Sequence, residues 1–160
     1  MSRSIIAPAR PLNIVPYGIV AGLIGGAVID LFLLATGMGH APQIYQWIAS
    51  LIVGPVAFSS AADAWLGVGL HIIVSAAWGV AYALLCQRIG TVVLDRPVVA
   101  GVAFGIVVWA VMQLVLLSLH AWQRPISPVV LLLSLIAHTL FFGVPIATFV
   151  RVAVRRRMPT

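Results

Sequence analysis

The residues of this chain that could bind protons, metals or small ligands are few, and most of them interrupt apolar segments. Asp30 is one of only three acidic residues, and it stands inside residues 18–34, which are otherwise apolar. His71 and His138 lie inside two later apolar runs. A charged side chain at the middle of a membrane costs about 2.5–3.5 kcal/mol on insertion scales. Such residues normally face the interior of a helix bundle and mark a functional site.

The spacing of the polar residues predicts that they share the inner faces of helices. Asp30 continues a series of three glycines spaced four residues apart, and His71 begins a similar small-residue series with Ser75. Small residues at this spacing let helices approach closely in lipid. Gln113 and His138 lie on comparable stripes of the third and fourth apolar runs. We therefore expect these five side chains to converge in the outer half of a bundle.

Several functions fit this set of residues. The Asp30 carboxylate and the imidazoles of three histidines suit a transition metal, and a histidine pair also suits haem b. These histidines are His71, His120 and His138. A buried aspartate–histidine pair equally suits a proton-coupled small-molecule transporter that works as an oligomer. A structural interpretation also stands, in which Asp30 accepts hydrogen bonds from His71 or Ser75 and joins two helices.

Four apolar runs are long enough to hold these residues in membrane-spanning helices, at 14–36, 65–87, 97–121 and 128–152. About 20 apolar residues cross the hydrocarbon core as a helix. A single crossing segment must be helical, because in lipid its backbone N–H and C=O groups have to be hydrogen-bonded within the segment. Residues 43–58 are too short to cross and are predicted to form an amphipathic helix at the outer interface. The chain is therefore predicted to be a single all-α membrane domain over 1–160, a bundle of four transmembrane helices with a short interfacial helix between the first two.

The composition and the arginines predict the cellular location. Of the 160 residues 62% are hydrophobic and 8% are charged, whereas soluble domains have about a quarter charged. All nine basic residues are arginines, and only Arg124 falls on the outer side of the four predicted crossings. Both termini are therefore expected in the cytoplasm. Because the arginines stand in short flanks, we expect no nucleic-acid partner.

The stretches GLHIIVSAAWGVAYALL, GVAFGIVVWAVMQLVLL and IAHTLFFGVPIA resemble small four-helix bacterial membrane proteins of unknown function. The resemblance covers the last three apolar runs and implies an inner-membrane location without an assigned activity. Within the chain, AGLIGG at 21–26 also resembles AGVAFG at 100–105. This leaves open a duplication of a helix pair.

The predicted function is that of a multi-pass inner-membrane protein with an intramembrane aspartate–histidine site. The site is expected to bind a small ligand, a metal or haem, with His40 and His120 near its mouth, or the chain acts as an accessory subunit. The glycine stripes exceed what one small bundle needs, so a homo-oligomer or a larger membrane complex is expected besides lipid. A proton-coupled transporter and a purely structural subunit stay open, and serines at seam positions favour packing over catalysis.

Overall fold

The computed structural model describes residues 13–38, 40–119 and 127–156, and every regular element within them is helical. The α-helices are α1 (Val15–Ala35), α2 (Ala41–Val53), α3 (Ala64–Ile89), α4 (Thr91–Asp95), α5 (Pro97–Ser118), α6 (Pro128–Ile136) and α7 (Val144–Arg155). Short 3-10 turns at Gly54–Phe58 and Ala61–Asp63 lead into α3. A π-helical segment at Ala137–Gly143 joins α6 to α7, and we call this continuous unit the α6–α7 helix.

Four helical units are long and apolar enough to cross a membrane, at Val15–Ala35, Ala61–Ile89, Pro97–Ser118 and Pro128–Arg155. The prediction of an all-helical chain with four such helices is confirmed. Pro97 and Pro128 stand in the first turns of α5 and α6, where proline removes no hydrogen bond that the helix needs.

Glycines determine how closely the long helices approach one another. Gly22 of α1 lies against the backbone of Ser75 in α3, and Gly79 of α3 lies against α1 in return. Gly105 of α5 and Gly143 of the α6–α7 helix make the same kind of mutual contact. A Cβ atom on any of these four glycines would come within 3.0 Å of neighbouring backbone. The glycine stripes are therefore used inside the chain, and they give no argument for an oligomer.

The segment predicted to lie at the interface, 43–58, is divided between α2 and the 3-10 turn that follows it. α2 ends at Val53 because Gly54 adopts φ +72°, a left-handed conformation that favours glycine. α2 packs along the first half of α3, where Gly67 leaves room for the backbone of Tyr45. The α2 helix is therefore held beside the end of α1 that carries Asp30.

The end of the bundle remote from Asp30 is basic. There, Arg155 of α7 donates a 2.6 Å hydrogen bond to the carboxylate of Asp95 in α4, and both side chains are exposed. Arg88, at the end of α3, and Arg96, before α5, belong to the same end. An exposed ion pair of this kind contributes about 0–1 kcal/mol to the free energy of unfolding. It therefore matters here mainly because it marks the end of the bundle where the arginines lie.

Candidate functional site

The carboxylate of Asp30 is held between helices α1, α2 and α3. Its Oδ1 atom lies 3.2 Å from Nε2 of His71, and its Oδ2 atom accepts a 2.8 Å hydrogen bond from the Tyr45 hydroxyl. The side chains of Asp30 and His71 are 18% and 21% exposed. A partly buried carboxylate is thus brought into contact with one imidazole and one phenol.

The hydrogen bonds of His71 define which ring nitrogen carries the proton. Nε2 of His71 lies 3.4 Å from the carbonyl oxygen of Gly26, in addition to its contact with Asp30. Both neighbours are acceptors, so we assign the proton to Nε2, and a neutral ring then keeps its lone pair on Nδ1. Within the described part of the chain, Asp30 Oδ1 is buried and has no well-aligned hydrogen-bond donor. One carboxylate oxygen is therefore incompletely satisfied.

A cavity of about 70 Å³ lies beside His71, between α1, α3, α5 and the α6–α7 helix. Its polar lining consists of His71, Ser75 and His138, and the remaining lining is apolar, with Trp78 and Met112 among its residues. A cavity holds a water molecule once it offers roughly 10–15 Å³ to the centre of a water-sized probe. Pockets for drug-sized ligands measure about 300–1,000 Å³, so this cavity admits waters or an ion and is too small for haem.

His138 reaches this cavity from the π-helical segment of the α6–α7 helix. Its Nδ1 atom lies 2.7 Å from the carbonyl oxygen of Ser134 in the preceding turn. That oxygen can only accept, so Nδ1 carries the proton in the neutral ring and the lone pair is on Nε2. π-helical insertions are frequent at functional sites. Here the segment belongs to the part of the helix that carries the second cavity histidine.

The structure brings together most, but not all, of the five side chains expected to converge. Asp30 contacts His71, and the cavity joins His71 to His138 and to Ser75, which is 3% exposed. No hydrogen bond between Asp30 and Ser75 is found in the described ranges, so His71 is the partner in α3. Gln113 is half-buried on α5 and does not line the cavity.

The structure describes three of the four residues expected to bind a metal, namely Asp30, His71 and His138. Among them, no three histidine, cysteine, aspartate or glutamate side chains lie together closely enough to hold a metal ion. His120 lies outside the described residues. His40 precedes α2 and is exposed. Asp30, His71 and His138 therefore do not form such a group by themselves.

Sequence reasoning missed two residues of the site, Tyr45 and Met112. Tyr45 lies on α2, whose apolar periodicity predicts an interfacial helix but no contact with Asp30. Burial, the hydrogen bond to Asp30 and the negative charge of Asp30 raise the pKa of Tyr45 to about 12, so its hydroxyl remains a donor at neutral pH. Met112 has no polar signature, and only its place in the cavity lining reveals it.

Fold and site together define a class of protein: an all-helical chain with four helices of membrane-spanning length and a partly buried carboxylate–imidazole pair. Comparison with protein families, with curated proteins and with solved structures gives no match for this chain. The function is therefore inferred from the geometry of the site.

Proposed function

We propose that this protein is an integral protein of the bacterial inner membrane, with four membrane-spanning helices and both termini in the cytoplasm. Large apolar side chains are exposed on the outer surfaces of the long helices, Leu31, Ile73 and Leu114 among them. Extended apolar surfaces of this kind are rare on soluble monomers and suit contact with lipid. The arginine-rich end, which includes Arg96 and Arg155, is assigned to the cytoplasm by the positive-inside rule.

Single cysteines test this orientation in a chain that carries Cys86→Ser, because Cys86 is the only natural cysteine. Ser59→Cys lies in the exposed loop before α3, and Arg156→Cys follows α7 at the opposite end. In intact spheroplasts, a membrane-impermeant maleimide is expected to label Ser59→Cys at once and Arg156→Cys only after lysis. The reverse order of labelling contradicts the proposed orientation, and labelling of both in intact spheroplasts contradicts the four-crossing topology.

The proposed role of the site is to bind a small cationic ligand in the outer half of the bundle. The observation that carries this role is the Oδ1 atom of Asp30, a buried carboxylate oxygen without an aligned donor. The nearest groups of the site include a second acceptor, the carbonyl oxygen of Gly26. A carboxylate in low-dielectric surroundings is stabilised by a proton or by another cation, so these acceptors favour a positively charged occupant.

Proton-coupled transport by an oligomer is the second candidate, and one observation favours it. Tyr45, Asp30 and His71 form a continuous chain of contacts of 2.8 Å and 3.2 Å that runs from α2 to the cavity. Hydroxyl, carboxylate and imidazole groups in such a chain can pass a proton. An accessory or purely structural subunit is a weaker proposal, because the glycines that suggested external docking pack within the chain.

The test compares wild-type protein in detergent with Asp30→Asn, which keeps the shape of the side chain and removes its charge. Asp95→Asn is the matched control, because Asp95 pairs with Arg155 at the opposite end of the bundle. The melting temperature is measured with Na⁺, K⁺, Ag⁺ and Zn²⁺ and across pH, together with elemental analysis of protein purified without chelators. A ligand at 100 times its Kd stabilises by about 2.7 kcal/mol.

We expect at least one of these cations to stabilise wild-type protein and Asp95→Asn but not Asp30→Asn. If all three proteins respond identically to every cation, and none retains an ion, the binding role is wrong. The structural interpretation of Asp30 then stands.

A further inference from the structure

The two histidines of the cavity share an arrangement that is typical of metal ligands. Each ring has one N–H directed at a backbone acceptor: Nε2 of His71 at the carbonyl oxygen of Gly26, and Nδ1 of His138 at the carbonyl oxygen of Ser134. Metal-binding histidines almost always donate their second N–H in this way, to a carboxylate or to a backbone carbonyl. Each neutral ring therefore has one lone pair left for a ligand.

The cavity that the two imidazoles share also contains a thioether, that of Met112. Imidazole nitrogen and thioether sulfur together are a soft donor set, which selects Cu(I) over hard cations such as Mg²⁺ or Ca²⁺. A closed structural zinc site needs four nitrogen, sulfur or carboxylate ligands. No group of even three such histidine, cysteine, aspartate or glutamate side chains exists in the described ranges.

The charge of the site also favours a monovalent ion. Asp30 is the only acidic residue of α1, and its Oδ1 atom lies 3.2 Å from Nε2 of His71. One positive charge in the cavity balances this carboxylate, whereas a divalent ion leaves a net charge in an apolar environment, where an unbalanced charge is expensive. The volume of about 70 Å³ is large enough to admit an ion.

We propose that the cavity binds one monovalent soft metal ion of the Cu(I) class through the imidazoles of His71 and His138 and the thioether of Met112. Asp30 supplies the counter-charge and orients the ring of His71. This inference rests on the proposed cation-binding function, and it names the ion and adds Met112 to the site.

The test is an anaerobic titration of the full-length protein in detergent with Cu(I), using bicinchoninate as a coloured competitor. Ag(I), which is redox-inert, is titrated in parallel by calorimetry. Met112→Leu removes the sulfur and nearly conserves the volume of the side chain. Met38→Leu is its control, because Met38 lies just beyond α1 and does not line the cavity. His138→Gln and Asp30→Asn complete the series.

We expect one Cu(I) per chain, with the same affinity in Met38→Leu. Affinity is expected to fall about 10–100-fold in Asp30→Asn, as for other residues that orient metal-binding histidines. Larger losses are expected in His138→Gln, and at least tenfold in Met112→Leu. X-ray absorption of the copper complex is expected to show nitrogen and sulfur neighbours, and to lose the sulfur in Met112→Leu.

The outcomes separate this inference from the proposed function. If neither Cu(I) nor Ag(I) binds while another cation still stabilises the protein through Asp30, the soft-metal site is wrong and the cation-binding role stands. If Cu(I) binds equally well to Met112→Leu with unchanged sulfur scattering, the ligand set is wrong. If no cation depends on Asp30, both proposals fail.

Discussion

The molecule contains two helix pairs, α1 with α3 and α5 with the α6–α7 helix, which cross in the same way. In each pair, one glycine of the later helix lies between two glycines, spaced four residues apart, of the earlier helix. These are Gly79 between Gly18 and Gly22, and Gly143 between Gly101 and Gly105. The same backbone atoms make the closest approaches in both pairs. The packing at the two crossings is therefore equivalent.

This equivalence fixes how α1 corresponds to α5. Gly18 corresponds to Gly101 and Gly22 to Gly105, an offset of 83 residues in both cases. With this offset, Ala27-Val28 aligns with Ala110-Val111 and Leu33-Leu34 with Leu116-Leu117. The similarity of AGLIGG to AGVAFG implied an offset of 79 residues, which is about one helical turn away. Sequence similarity alone pairs different glycines from those that correspond in the structure, because both helices carry several glycines at a spacing of four residues.

The two helix pairs pack in the same way but carry different residues at the corresponding polar positions of α1 and α5. Asp30 corresponds to Gln113 and Gly26 to Trp109. A Cβ atom on Gly26 would lie 2.7 Å from the Ser75 hydroxyl and 3.4 Å from Nε2 of His71, so the missing side chain lets the polar groups of α3 reach α1. The second pair has the half-buried Trp109 at the corresponding position. Beside the same kind of helix crossing, the first pair thus has an acidic residue and the second pair an uncharged one.

The later helices differ by a single residue. In α3, four positions separate Ser75 from Gly79, whereas five positions separate His138 from Gly143. The π-helical segment accommodates the extra residue, and the backbone of His138 takes the position at the crossing that Ser75 has in the first pair. One inserted residue thereby places a histidine where the first pair has a serine. Both side chains line the cavity.

The largest effect is expected from giving the second pair the charge of the first, with Gln113→Asp. The α6–α7 helix has Ser134 four residues before His138, where α3 has His71 four residues before Ser75, so the new carboxylate has no equivalent imidazole partner. An unpaired charge at such a position costs about 2.5–3.5 kcal/mol, and we expect a loss of this size in the free energy of unfolding. The measurement is denaturant titration in mixed micelles, with Gln113→Leu as the control. If Gln113→Asp leaves the free energy of unfolding unchanged, the second pair already contains a partner for a carboxylate.

The sequence was sufficient for the features that depend on length and spacing. Apolar runs gave the four long helices, and the small-residue stripes placed Asp30 and His71 on facing sides of α1 and α3. It was insufficient where the rotation of a helix or the path of a loop decides a contact. Gln113 shares a stripe with Gly101 and Gly105 yet stays outside the cavity.

Loop paths and local helix geometry were the other obstacles. Tyr45 meets Asp30 only because the turn after α1 brings α2 back against α3. The π-helical segment at Ala137–Gly143 leaves no periodic signal in a sequence that is apolar on all sides. Met112 belongs to the cavity because α5 rotates it inward beside Val108.

A smaller loss is expected when the crossing glycines are filled, and it should be equal in the two pairs. Gly79→Ala and Gly143→Ala each place a methyl group against backbone atoms of the facing helix. Overpacking of this kind costs about 1–3 kcal/mol. Gly69→Ala is the control, because nothing lies within 4 Å of its added Cβ atom, and it should leave stability unchanged or higher. Unequal losses at Gly79 and Gly143 would show that the two crossings only look equivalent.

The smallest effect is expected for Tyr45→Phe, which removes a contact that only the first pair has. The substitution deletes the 2.8 Å hydrogen bond to Asp30, and such bonds between membrane helices contribute about 0.6 kcal/mol on average.

The pKa of Tyr45 is raised from 10.0 to about 12, so the folded state favours the protonated hydroxyl. Its contribution is complete below pH 10 and is lost as the pH rises through about 12. Wild-type protein should therefore lose more stability than Tyr45→Phe over this range, and its tyrosinate absorbance should contain a step near pH 12 that Tyr45→Phe lacks and the control Tyr17→Phe retains. If the stability curves of wild type and Tyr45→Phe are instead parallel above pH 10, α2 is held only by its packing on α3. The hydrogen bond from Tyr45 to Asp30 then contributes nothing to stability.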